Sequence, residues 1–155
     1  MIEGQPIFPA LDRHSFRGQF LDCFALIEDH VAPVIDRLVA LGLAKKAPHL
    51  FGQKFDLIRR NIAAQSVWRN CDHVGPIFED LAPFAALRGL MGHGLIKQAT
   101  LAEGEALSIE PPGYADWSER KVLTAAECHN LLAKLHDLTK RLLKQRTFTG
   151  LGNEA

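Results

Sequence analysis

The chain has 155 residues, 47% hydrophobic and 23% charged, and its 18 basic and 18 acidic side chains balance to a formal net charge of zero. That size and composition suit one globular domain, while zero net charge argues against a strong sequence-independent grip on nucleic acid, which comes from Lys and Arg neutralising phosphates. No apolar run approaches the ~20 residues that span a bilayer, and Met1 to Pro6 lacks the basic start and apolar core of a signal peptide, so a cytoplasmic protein without membrane contact is expected.

Residues 1–12 read as an N-terminal arm. Apolar residues then recur at Phe16, Phe20, Cys23, Ile27, Val31, Val34, Leu38 and Leu41, in steps of three and four. That is one helical face held for about seven turns. Pro33 should kink or split it, and Gly42 should stop it. The same spacing would serve a coiled-coil seam, but a stripe buried inside a bundle is the simpler reading.

A second helix is expected from about Leu50 to Trp68, with Phe51, Phe55, Ile58 and Ile62 on its buried face. A third starts near Asp72, a candidate cap, and runs to about Met91. Pro76 is cheap in its first turns, whereas Pro83 predicts a bend. Gly92 and Gly94 should terminate it.

The period then changes. Leu95–Ala102 and Glu105–Glu110 flank Glu103-Gly104 and read as a β-hairpin, closed by Pro111-Pro112-Gly113, with a loop through Trp117 beyond. Thr124-Ala125-Ala126-Glu127 is a capping box that starts the last helix. Leu123 is placed to staple onto Cys128, and Leu131, Leu135, Leu138 and Leu142 continue the apolar face. Lys140, Arg141, Lys144 and Arg146 crowd its C-terminal end, where cations suit the helix dipole. Residues 147–155 read as a flexible tail. The expected class is all-α: a single-domain bundle of about four main helices, with a small β-hairpin insert at 95–113 between the third and fourth.

Cys23, Cys71 and Cys128 are far apart and odd in number, and read as reduced, mostly buried residues. Cys71-Asp72-His73 and Glu127-Cys128-His129 hold metal-ligand residue types, but neither has the i,i+3 or i,i+4 spacing that aims two ligands from one helix at one ion. His136-Asp137 lacks partner ligands. No metal or cofactor is expected.

The segment with chemistry in it is Leu87-Arg88-Gly89-Leu90-Met91-Gly92-His93-Gly94. A neutral histidine can take a proton from a ribose 2′-hydroxyl, and an arginine can hold a phosphate's developing charge. Five helical residues set Arg88 and His93 about 140° apart, so they share a face only if the last turn unwinds, which Gly92 would permit. In the bland reading, His93 bonds the last carbonyls of its helix and Arg88 pairs with Glu79 or Asp80.

Residues 87–94 resemble the leucine-arginine-asparagine-x-x-x-histidine-glycine signature of HEPN domains. Phe55-Asp56-Leu57-Ile58-Arg59-Arg60 is loosely similar to the preceding helix of such proteins, and the order of bundle, motif, hairpin and closing helix fits in outline. The resemblance implies a two-fold homodimer in which the arginines and histidines of both chains meet in one cleft. It further implies a metal-independent ribonuclease of toxin–antitoxin or phage-defence type, with Arg88 and His93 catalytic and an antitoxin as partner. Arg59, Arg60 and Lys97 would extend a substrate-facing basic rim. Gly89 stands where the family usually has asparagine. That departure supports a second expectation, a catalytically inactive module of regulatory role that binds RNA, a nucleotide or a protein.

Overall fold

The computed structural model describes residues 12–62, 68, 71–111 and 120–145. The arm before Asp12, the loop through Trp117, Arg146 and the tail of residues 147–155 lie outside them. Helix α1 spans Arg13–Ala40, and the Asp12 carboxylate caps it by accepting from the backbone N–H groups of His14 and Ser15. The expected stripe is buried from Phe16 to Leu38, while Leu41 lies beyond the helix and is exposed. Pro33 does not split α1. It and Asp29, whose carbonyl loses its partner, both face outward, where water can replace the bond. Gly42 ends the helix at φ 78°. The Leu43 N–H donates to the Leu38 carbonyl and the Gly42 N–H to that of Val39, each at 3.0 Å, which is a Schellman closure.

Helix α2, Phe51–Asn61, is shorter than its expected run to Trp68 but buries Phe51, Phe55 and Ile58 as anticipated, with Leu57 in addition. Helix α3 spans Cys71–His93, so Asp72 sits in its first turn rather than capping it. Pro83 is exposed and the helix continues through it. The last turn does not unwind at Gly92, which lies inside the helix; Gly94 is where the chain leaves it.

The insert is larger than a hairpin. Strands β1 (Leu95–Leu101), β2 (Gly104–Glu110) and β3 (Lys121–Thr124) form an antiparallel sheet in the order β1-β2-β3. Gly104 takes φ 121° at the turn. The third strand corrects the expectation of an all-α bundle with only a hairpin insert: the protein is mostly helical, with a small three-stranded sheet. Lys121-Val122-Leu123-Thr124 is only four residues long and runs straight into a helix cap, so its alternation was too short to register as a strand. Thr124 closes the predicted capping box at the start of α4, Ala125–Leu143. Along α4 Leu132 is buried where Leu131 was expected.

Helix α1 is the hub, packing on α2, α3, α4 and β1. An aromatic chain runs from Phe20 through Phe24, Phe51, Phe55 and Phe78 to Trp68, with successive ring centroids 5.0–5.8 Å apart. It ties α1 to α2 and α3. Such pairs each add about 0.5–1.5 kcal/mol beyond their buried area.

His30 on α1 stacks against Trp68 at 5.9 Å and meets the Gln145 carbonyl at 3.1 Å, beyond the end of α4. Burial lowers its pKa from 6.5, outweighing the Gln145 bond and the charge of Asp29. The unfolded chain therefore binds a proton first as pH falls. The stabilisation is complete above the ordinary histidine value and is lost as pH drops below about 6.5 towards the depressed one. Thermal unfolding at pH 7.5 and 5.5 should show a smaller acid-induced drop in Tm for His30→Asn than for wild type; equal drops would remove His30 from the explanation.

Candidate functional site

Gly94 organises the end of α3. Its N–H donates to the Leu90 carbonyl at 2.7 Å, closing the helix. A Cβ built there would lie 2.6 Å from the Glu110 carbonyl oxygen and closer still to that of Leu90. Glycine is thus required by close backbone approach, where β1 turns to pair Leu95 with Glu110. From α1, the Arg17 guanidinium donates to the Gly94 carbonyl and Arg13 donates to the Ile96 carbonyl at 3.4 Å. These two arginines hold the exit of the motif helix. Sequence reasoning missed them; their i,i+4 spacing on α1 was the available signal.

Arg88 faces α1 and α2. Its guanidinium lies 5.5 Å from the Phe51 ring centroid and 3.6 Å from a Glu28 carboxylate oxygen. The partner is Glu28, not Glu79 or Asp80. Nothing in the sequence distinguished Glu28, which is 60 residues away. Gly92, one turn further along α3, would accommodate a side chain, its nearest neighbour being Arg88 Nη1 at 3.6 Å.

His93 is exposed in the last turn of α3. The helix is unbroken between them, so the two side chains leave it about 140° apart and about 7.5 Å apart along the axis. Within one chain the structure does not bring Arg88 and His93 to one face. His93 follows Ala86 by seven and Leu90 by three, so it continues their row instead.

The expected rim cations are engaged one by one. Arg59 grips the Glu79 carboxylate with both Nε and Nη2, at 2.9–3.2 Å. Arg60 donates to the Asp56 carbonyl at 3.3 Å. With Asp56 and Glu79 they line a small depression in which acids match bases. Lys97 pairs across the sheet with Glu110 at 3.3 Å.

Cys23 and Cys128 are buried and Cys71 half-buried, all as free thiols. Burial raises the Cys23 pKa, and pushes that of Cys128 up to about 12. The Cys23 sulfur lies 3.4 Å from His136 Nδ1. A desolvated thiol with a raised pKa is a poor nucleophile, so this pair reads as packing. Among the described residues, no group of three His, Cys, Asp or Glu side chains could hold a metal ion, and no helix is long and apolar enough to cross a membrane.

A groove of about 920 Å³ lies between α3, β3 and α4. Phe84, Leu87 and Leu90 from α3 form its floor, with Leu123 and Leu131 opposite. No protein-family model matches the chain, and no curated protein or solved structure is significantly similar to it.

Proposed function

We propose that the protein is a non-catalytic module of HEPN-like design, in which the arginine of the signature has become scaffold and the histidine face serves binding. The carrying observation is the setting of Arg88. Its charge is engaged by Glu28 and its plane rests near Phe51, on a different side of an unbroken helix from His93. A clamp for a developing phosphate charge must be aimed at the reacting atoms together with the general base. Gly89, without a side chain to orient either group, agrees with this.

A metal-independent ribonuclease is the second reading, favoured by one observation: His93 is exposed, and open to approach by another chain. In that case a homodimer would bring Arg88 of one copy and His93 of the other to one cleft. RNA would be the substrate and an antitoxin the natural restraint. His93 would act as general base or acid and Arg88 as phosphate clamp, with Arg59, Arg60 and Lys97 reaching RNA only by giving up their present partners.

Purified protein should be incubated with single-stranded and structured RNA in the presence of a chelator, alongside His93→Ala and Arg88→Ala. We expect no cleavage by any of the three, and a loss of about 1 kcal/mol of stability in Arg88→Ala, from one partly exposed ion pair and one cation–π contact. Cleavage by wild type that disappears in both variants would replace the first reading with the second.

A further inference from the structure

We infer that the groove between α3, β3 and α4 binds a small amphipathic anion, a single-chain carboxylate with an apolar tail. The groove takes in Ala86 and Leu90, the row of α3 that His93 continues, and the case for it does not depend on Arg88. Three features of the groove carry it.

The first is its lining. Phe84, Leu87 and Leu90 recur at three-residue steps along α3, and Leu123 and Leu131 face them from β3 and α4. Leu87, Leu123 and Leu131 are only partly buried, so the protein leaves apolar surface open here. The second is charge. Among the described residues, the charged ones lining the groove are Lys121 and Lys134, both exposed, and none is acidic. Neither lysine is in an ion pair with another described residue. An apolar tail on the floor and a carboxylate at the rim would satisfy both.

The third is size. About 920 Å³ falls in the range of small-molecule sites, roughly 300–1,000 Å³. Ten described residues line the groove, against the roughly 20–30 a side of a stable protein interface. A second copy fits poorly for another reason. A two-fold contact through this face would set lysines of both copies against each other, with no acid among the described lining residues to offset them.

The test uses the full chain and 11-(dansylamino)undecanoate, whose fluorescence rises in an apolar site. Competitors are dodecanoate, dodecanol and dodecylamine, all below their micelle-forming concentrations. We expect saturable one-to-one binding, with dodecanoate competing at least tenfold better than dodecanol and dodecylamine. Lys121→Gln/Lys134→Gln, two exposed positions, should weaken dodecanoate at least tenfold and leave dodecanol unchanged. Leu131→Asp should remove binding of both, with circular dichroism showing that the fold is kept. Absence of saturable binding, equal competition by dodecanol, or an unaffected double-lysine variant would overturn the assignment. So would a wild-type dimer that Leu131→Asp converts to monomer, or an acidic amphipathic peptide that displaces the probe where dodecanoate does not.

Discussion

Replacing Gly94 with alanine is expected to cost about 3 kcal/mol of stability, the upper part of the range for forcing atoms into a packed site. For a chain of this length that is a fall in Tm of roughly 10 °C. The added methyl collides with two carbonyl oxygens, those of Leu90 and Glu110, and neither is the end of a flexible side chain. Relief requires either unwinding the last turn of α3 or moving β1 away from the start of its pairing with β2. Both also disturb the bond from Arg17 to the Gly94 carbonyl. Gly92→Ala is the control: it has room, and it exchanges a helix-interior glycine for the best helix former, so it should be neutral or stabilising by up to about 1 kcal/mol. Urea unfolding of the two variants decides the matter. Equal stabilities would mean that the final glycine of the motif is not held by this close approach.

Phe24→Ala should be the most damaging side-chain truncation we can name, at about 4 kcal/mol. Phe24 is 1% exposed and sits between the Phe20 and Phe51 rings, at 5.2 and 5.0 Å, the latter edge to face. Its removal empties the joint between α1 and α2. Because Phe51 also underlies Arg88, the variant should loosen that guanidinium as well. Leu26, two residues along the same helix but 52% exposed, should tolerate alanine within about 0.5 kcal/mol. Denaturant unfolding that gave the two substitutions similar effects would contradict the burial pattern on which the fold rests.

The helices were legible because each carries a repeating apolar stripe. Phe16 to Leu38 could be read off directly, and the Thr124–Glu127 capping box and the stop at Gly42 lie where the side chains and the glycine demanded. Strand β3 was not legible, since four residues hold too little alternation and ten residues, too many for a tight hairpin turn, separate it from its pairing partner β2. The motif segment was found from sequence, and so was the angle of about 140° that an unbroken helix sets between Arg88 and His93; whether the last turn unwinds was not. Glycine at position 92 permits unwinding without compelling it, and the contacts that keep the turn helical come from elsewhere. The Arg88–Glu28 pair and the Arg17–Gly94 bond span 60 and 77 residues. Nothing local announces such partners. The groove was invisible for the same reason, since its walls come from three elements whose apolar residues each look like ordinary core.

The packing of α1 against α4 has a consequence for the order of assembly. The first and last described elements lie side by side, and His30 meets the carbonyl of Gln145 across 115 residues. A ribosome releases the long apolar stripe of α1 well before α4 exists to cover it. During that interval the stripe can be sheltered only by α2, α3 and β1, or by a chaperone. Completion of the core is therefore a late, long-range event, with the loop-closure entropy of most of the chain to overcome. A chain interrupted before α4 would leave the α1 stripe open, and would be a substrate for aggregation or proteolysis rather than a shorter version of the same fold.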